Sequence, residues 1–148
     1  MRRATRALLP ALGLAAITGS RTALGPALVF GRASRRRLRP IPLVLSAMEL
    51  VADKMPFAPY RTAPIWLACR AASAAAVVRA VTRRRGRAAG LGALALGAAA
   101  AVASAFAGVR LRLALTRRLG GGPLSNALAG ALEDLALIAL GRRLLRAR

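Results

Sequence analysis

Apolar runs of membrane-crossing length, separated by short blocks of arginine, constrain this chain more than any single motif. The blocks are Arg2-Arg3, Arg32 to Arg39, Arg79 to Arg87, Arg110 to Arg118 and Arg142 to Arg148. A bilayer core about 30 Å thick takes ~20 apolar residues per helix. The runs at 7–30, 41–57, 63–81, 88–109 and 123–141 are on that scale and use most of the 148 residues. The pattern predicts an all-α, polytopic membrane helix bundle of four to five transmembrane helices, a single integral membrane domain over residues 1–148. No soluble domain is left over.

Charge decides between two classes. Lys and Arg number 25 against 4 Asp and Glu, a net charge of +21. A soluble domain this basic would point to nucleic acid. Here the arginines flank apolar runs, as loop arginines of membrane proteins do. Aromatic residues make up 3%, too few to stack on single strands. The expected partner is therefore the lipid bilayer and not nucleic acid. Arginine chosen almost throughout over lysine, with much Ala, Gly and Leu, points to a bacterial source and so to an inner (plasma) membrane.

The same composition removes most chemistry. Histidine is absent and Cys69 is alone, so neither a disulfide framework nor a Cys/His metal site is available. There is no serine nucleophile motif and no phosphate loop. Gly90-Leu91-Gly92-Ala93-Leu94-Ala95 formally matches a dinucleotide fingerprint, but no strand precedes it and no acid follows at the right distance. No enzyme activity, cofactor or metal is expected.

The first run is broken by Gly13, Gly19, Arg21, Gly25 and Pro26. A secretory signal competes for this stretch, yet no A-x-A site follows and Arg21 stands where cleavage would fall. It reads as a broken or tilted first span. The second run ends in Glu49-Leu50-Val51-Ala52-Asp53-Lys54-Met55-Pro56, with two of the four acids one helical turn apart. Ser46 continues their face, and a Ser46–Glu49 capping box is an alternative for this pair. Tyr60 and Trp66 flank the third span, which carries Cys69 and Arg70 in its first half. The fourth is almost wholly small and apolar, as helices packed among others are. The fifth carries Ser125, Asn126, Glu133 and Asp134.

All four acids thus fall inside apolar segments, where a charge costs about 3 kcal/mol or more unless it is paired or faces a polar interior. Arg21 and Arg110 are the natural partners, with Lys54 for Asp53. The expected polar centre combines Arg21, Glu49, Asp53, Lys54, Asn126, Glu133 and Asp134. One reading makes it a site that binds a proton, cation or small solute in a transporter- or channel-like protein. The other makes it a structural network in a scaffold or assembly protein. So small a bundle leaves little room for an enclosed pathway, which suggests a homodimer. Gly19-Ser20-Arg21 is echoed by Gly108-Val109-Arg110, and each is followed by a helix with acids. This is the pattern of an inverted repeat of two hairpins. With five spans and the first residue outside, fourteen arginines fall inside and eight outside.

The motifs resemble a bacterial integral membrane family known only as domain of unknown function 4126. Its Glu-Leu-x-x-Asp-Lys-x-Pro signature is met by Glu49, Leu50, Asp53, Lys54 and Pro56. Its Gly-x-Arg with a following Pro is met by Gly19, Arg21 and Pro26, and its Ser-Asn followed by Glu-Asp by Ser125, Asn126, Glu133 and Asp134. The chain departs in its arginine-rich loops and after Pro56, where Pro59 and Tyr60 stand. The resemblance implies a membrane location and these site residues, and no activity.

Overall fold

The computed structural model describes residues 2–30, 40–52, 62–86 and 88–146. All regular structure among them is helical: α1 (Arg2–Ser20), α2 (Leu24–Phe30), α3 (Pro40–Ala52), α4 (Pro64–Arg84), α5 (Leu91–Arg118) and α6 (Pro123–Arg146). Three of these, α4, α5 and α6, are long and apolar enough to cross a membrane. That is fewer than the four to five expected from the hydropathy pattern.

The three long helices form an antiparallel row. Pro64 fits the first turn of α4, where no N–H is needed. Gly86, at φ 70°, turns the chain after α4. Gly120, Gly121 and Gly122 take φ values of 96°, 72° and 99° between α5 and α6, a reversal that side chains with a Cβ would resist. Ser125 Oγ donates to the carbonyls of Leu119 (2.8 Å) and Gly121 (3.0 Å) and ties that turn down. The α4–α5 turn and the end of α6 define one end of the bundle, called end A here; the α5–α6 turn defines end B.

The first apolar run corrects the expectation of a crossing span. Pocket-lining neighbours place Leu14 of α1 beside Val81, Arg84, Leu144 and Leu145, near end A. Five residues on, a Cβ at Gly19 would run into the Ala101 carbonyl oxygen, deeper along α5. The helix stops at Ser20, and α2 folds back along it. A Cβ at Gly25 would run into Thr18 Oγ1 and lie 3.1 Å from the Leu14 carbonyl oxygen. Phe30, at the far end of α2, is again near end A, against Ala76, Arg79, Ala80 and Arg83. So α1 and α2 form a re-entrant hairpin with its tip at Arg21–Ala23. The apolar stretch Leu8–Ser20 of α1 is shorter than the membrane-length helices α4, α5 and α6.

Close packing explains the glycines and alanines. Ala11, Leu14, Ala15 and Ile17 of α1 pack with Ala74, Val77, Val78 and Val81 of α4 and Ala101 of α5 in one buried cluster. Gly97 lets Val78 approach, and Gly141 accommodates Leu28 and Ile17. Ser104 Oγ donates to the Ala16 carbonyl at 2.6 Å and pins α5 to α1. By contrast, Ile41, Leu43, Val44, Leu45 and Met48 of α3 are exposed. In the most apolar stretches of α4, α5 and α6 a third of the residues or fewer are buried in the protein, so apolar faces of all three helices are open to an apolar surround.

Two further expectations change. Ser46 lies six residues inside α3, which begins at Pro40, so a Ser46–Glu49 capping box is ruled out. The re-entrant turn also moves the first residues to end A. Among the described residues, end A then carries Arg2, Arg3, Arg6, Arg79, Arg83, Arg84, Arg85, Arg142, Arg143 and Arg146. End B carries Arg110, Arg112, Arg117 and Arg118. The asymmetry is sharper than with the first residue on the opposite side.

Two tests follow from this arrangement. Single cysteines at residues 2, 86 and 146, in a Cys69→Ser background, are expected to react with an impermeant thiol reagent from one face of the membrane only. A cysteine at residue 121 should react from the other; residues 2 and 146 reacting from opposite faces would exclude the re-entrant hairpin. Gly19→Val should lower stability by more than about 3 kcal/mol, because the clashing atom is backbone that cannot move aside. The shift in the thermal unfolding midpoint in detergent reads it.

Candidate functional site

The tip of the hairpin gathers the charged residues. In an unbroken helix the Gly19 carbonyl would accept from the Ala23 N–H. The break at Arg21 separates this pair, and each half is taken by a side chain from another helix. Arg70 Nη1 of α4 donates to the Gly19 carbonyl at 2.5 Å. The Glu49 carboxylate of α3 accepts from the N–H groups of Thr22 (2.7 Å) and Ala23 (2.8 Å). The signs are right: a cation meets the partly negative end of α1, and an anion meets the partly positive start of α2.

Arg21 itself is 1% exposed. Its Nε donates to Asp134 Oδ1 at 2.7 Å and its Nη2 stands 2.5 Å from the same oxygen. Nη2 is 3.9 Å from Glu133 Oε2. Both acids are buried on α6, at about its midpoint. Gly108 of α5 makes the room: a Cβ there would lie 3.3 Å from Glu133 Oε1 and 3.5 Å from Ser20 Oγ. Among the described residues, the charged groups at the tip are thus Arg21, Arg70, Glu49, Glu133 and Asp134.

A second polar group lies toward end B. Asn126 Oδ1, two turns up α6 from Glu133, accepts from Arg112 Nε at 3.0 Å. The Arg112 guanidinium passes over Gly130, where a Cβ would meet Nη2 at 2.7 Å. Asn126 and Arg112 thus lie on the α5–α6 seam between end B and Glu133.

Of the residues predicted from sequence, Arg21, Glu49, Glu133 and Asp134 meet at the tip. Asn126 lies toward end B, against Arg112. Asp53 and Lys54 lie outside the described residues, as does their pairing. Arg110, expected as a second partner for the acids, is exposed on α5, and Arg112 faces α6 in its place. Arg21 and Arg110 therefore occupy unlike environments, and the echo between the two halves does not extend to them. Arg70 lies outside the set that the sequence singles out for the site. Its signal is its phase: it falls on the same helix face as Ala74, Val77, Val78 and Val81, all buried.

Comparison of the chain with family models, with curated proteins and with solved structures finds no match in any of the three.

Removing one partner of the Arg21–Asp134 pair strands the other in a buried site. Asp134→Asn is expected to destabilise the protein by about 3–5 kcal/mol. The double variant Arg21→Met/Asp134→Leu should recover part of that loss, since both charges of the pair are removed together. Glu49→Gln, which keeps an acceptor, should cost less than Glu49→Leu, which leaves the Thr22 and Ala23 N–H groups unanswered. Unfolding midpoints of the five proteins, wild type included, check the order.

Proposed function

We propose that this protein is a small transporter-like membrane protein whose polar centre exchanges a proton or a monovalent cation through Glu133. The observation that carries the reading is the gathering of buried acids at the hairpin tip: Asp134 lies directly on Arg21, and Glu133 stands 3.9 Å from the same guanidinium. Acids at mid-depth of apolar helices are costly, and where they face a shared polar interior they commonly mark a proton or ion pathway. The hairpin also ends in irregular backbone at mid-depth, a form tolerated there only against protein or a polar cavity. Arg112 and Asn126 mark the approach from end B.

On this reading α3 belongs to a fourth crossing. The α1–α2 hairpin returns to end A, α4 starts at end B, and α3 lies between them. The arginine-rich end A faces the cytoplasm of a bacterium, and a homodimer would enclose the polar centre. Kinship with the family of domain of unknown function 4126 rests on the quoted motifs and is part of the same proposal, as is the absence of enzyme activity.

The runner-up is a membrane scaffold whose polar centre is structural. It is favoured by Glu49 and Arg70, which each serve the helix break. Flux separates the two. Purified protein in liposomes, with imposed proton, sodium or potassium gradients, should dissipate at least one of them faster than empty liposomes. Glu133→Gln should lose that flux at least tenfold while keeping its unfolding midpoint within a few degrees. Wild-type liposomes as tight as empty ones under every gradient would favour the scaffold.

A further inference from the structure

End A carries a feature that the polar centre does not use. Arg79 and Arg83, one turn apart on α4, form a ridge between two crevices. One crevice, about 490 Å³, lies toward α2 and is floored by Phe30, Ala76 and Ala80. The other, about 600 Å³, lies toward α5 and is lined by Ala88, Ala89 and Leu94. Both are apolar below and rimmed by guanidinium groups. The acids among the described residues are Glu49, Glu133 and Asp134, all gathered at the hairpin tip, so no described carboxylate neutralises this ridge.

We infer that the Arg79–Arg83 ridge binds the phosphate of an acidic glycerophospholipid, with its acyl chains running down the two crevices. Guanidinium groups grip phosphate oxygens in pairs, which the neutral surface of the crevices cannot do. A basic pocket between helices, at the end that carries most of the arginine, is where an anionic headgroup gains most. Phe30, Ala76 and Ala80 give the first methylenes an apolar wall continuous with the lipid-facing surface of α4. A zwitterionic lipid brings a phosphate too, but its ammonium group meets the same arginines unfavourably. The ligand is therefore a lipid with net negative charge. This site is independent of the proposal for Glu133.

The test measures retained lipid and thermal stability on the full chain in detergent. Phosphatidylglycerol is expected to remain bound through native mass spectrometry and to raise the unfolding midpoint by several degrees, with phosphatidylcholine giving at most a third of that shift. Arg79→Gln/Arg83→Gln should lower phosphatidylglycerol retention at least fivefold. Arg142→Gln/Arg143→Gln, at the same end but outside both crevices, should leave it within twofold. If the glutamine variant does not fold, Arg79→Lys/Arg83→Lys is read in its place and should still lose at least twofold, because an ammonium cannot grip phosphate in pairs. Equal retention of the two lipids, or equal loss in both arginine pairs, would overturn the site. So would inorganic phosphate or a short RNA producing the full stabilisation without lipid.

Discussion

The structure depends on one broken hydrogen bond. Where α1 would continue, the Gly19 carbonyl and the Ala23 N–H part company, and Arg70 and Glu49 take them up. A membrane interior supplies no water for such groups, and each would cost several kcal/mol if left alone. The turn at Arg21–Ala23 exists only because α3 and α4 bring opposite charges to its two sides. Those charges, set in an apolar surround, in turn need the hairpin. Neither half of the arrangement is stable without the other, and this is why a short loop organises four helices.

Arg21 adds the third constraint. A guanidinium at mid-depth requires an acid, and Asp134 supplies it from the middle of α6. Small residues do the rest. Gly19 against Ala101, Gly97 against Val78 and Gly108 beside Glu133 bring α1, α4, α5 and α6 close enough for short polar side chains to meet. Since a third or fewer of the residues in the bundle's most apolar stretches are buried, the polar centre carries a larger part in setting its geometry than in a soluble domain, where apolar burial would dominate.

Much of this site could be read from the residue order. An acid or arginine inside an apolar run is costly anywhere but a shared interior, so Arg21, Glu49, Glu133 and Asp134 name themselves. The re-entrant path does not. Gly19, Arg21, Gly25 and Pro26 interrupt a helix equally whether the chain kinks and goes on or turns and returns, because hydropathy carries no direction. The decision lies in tertiary contacts, above all Gly25 against Thr18. The recurrence of Gly-x-Arg points to Arg110, whereas helical phase places Arg112 on the α6 side. Arg70 sits near Trp66, where an interfacial arginine is ordinary, and only its register with the buried valines marks it as internal.

The separation of Arg21 from Asp134 by 113 residues has a consequence for the order in which contacts can form. The loop that this ion pair closes contains α2, α3, α4 and α5, so its closure entropy is offset only once those helices pack against one another. The pair therefore locks the bundle and does not nucleate it.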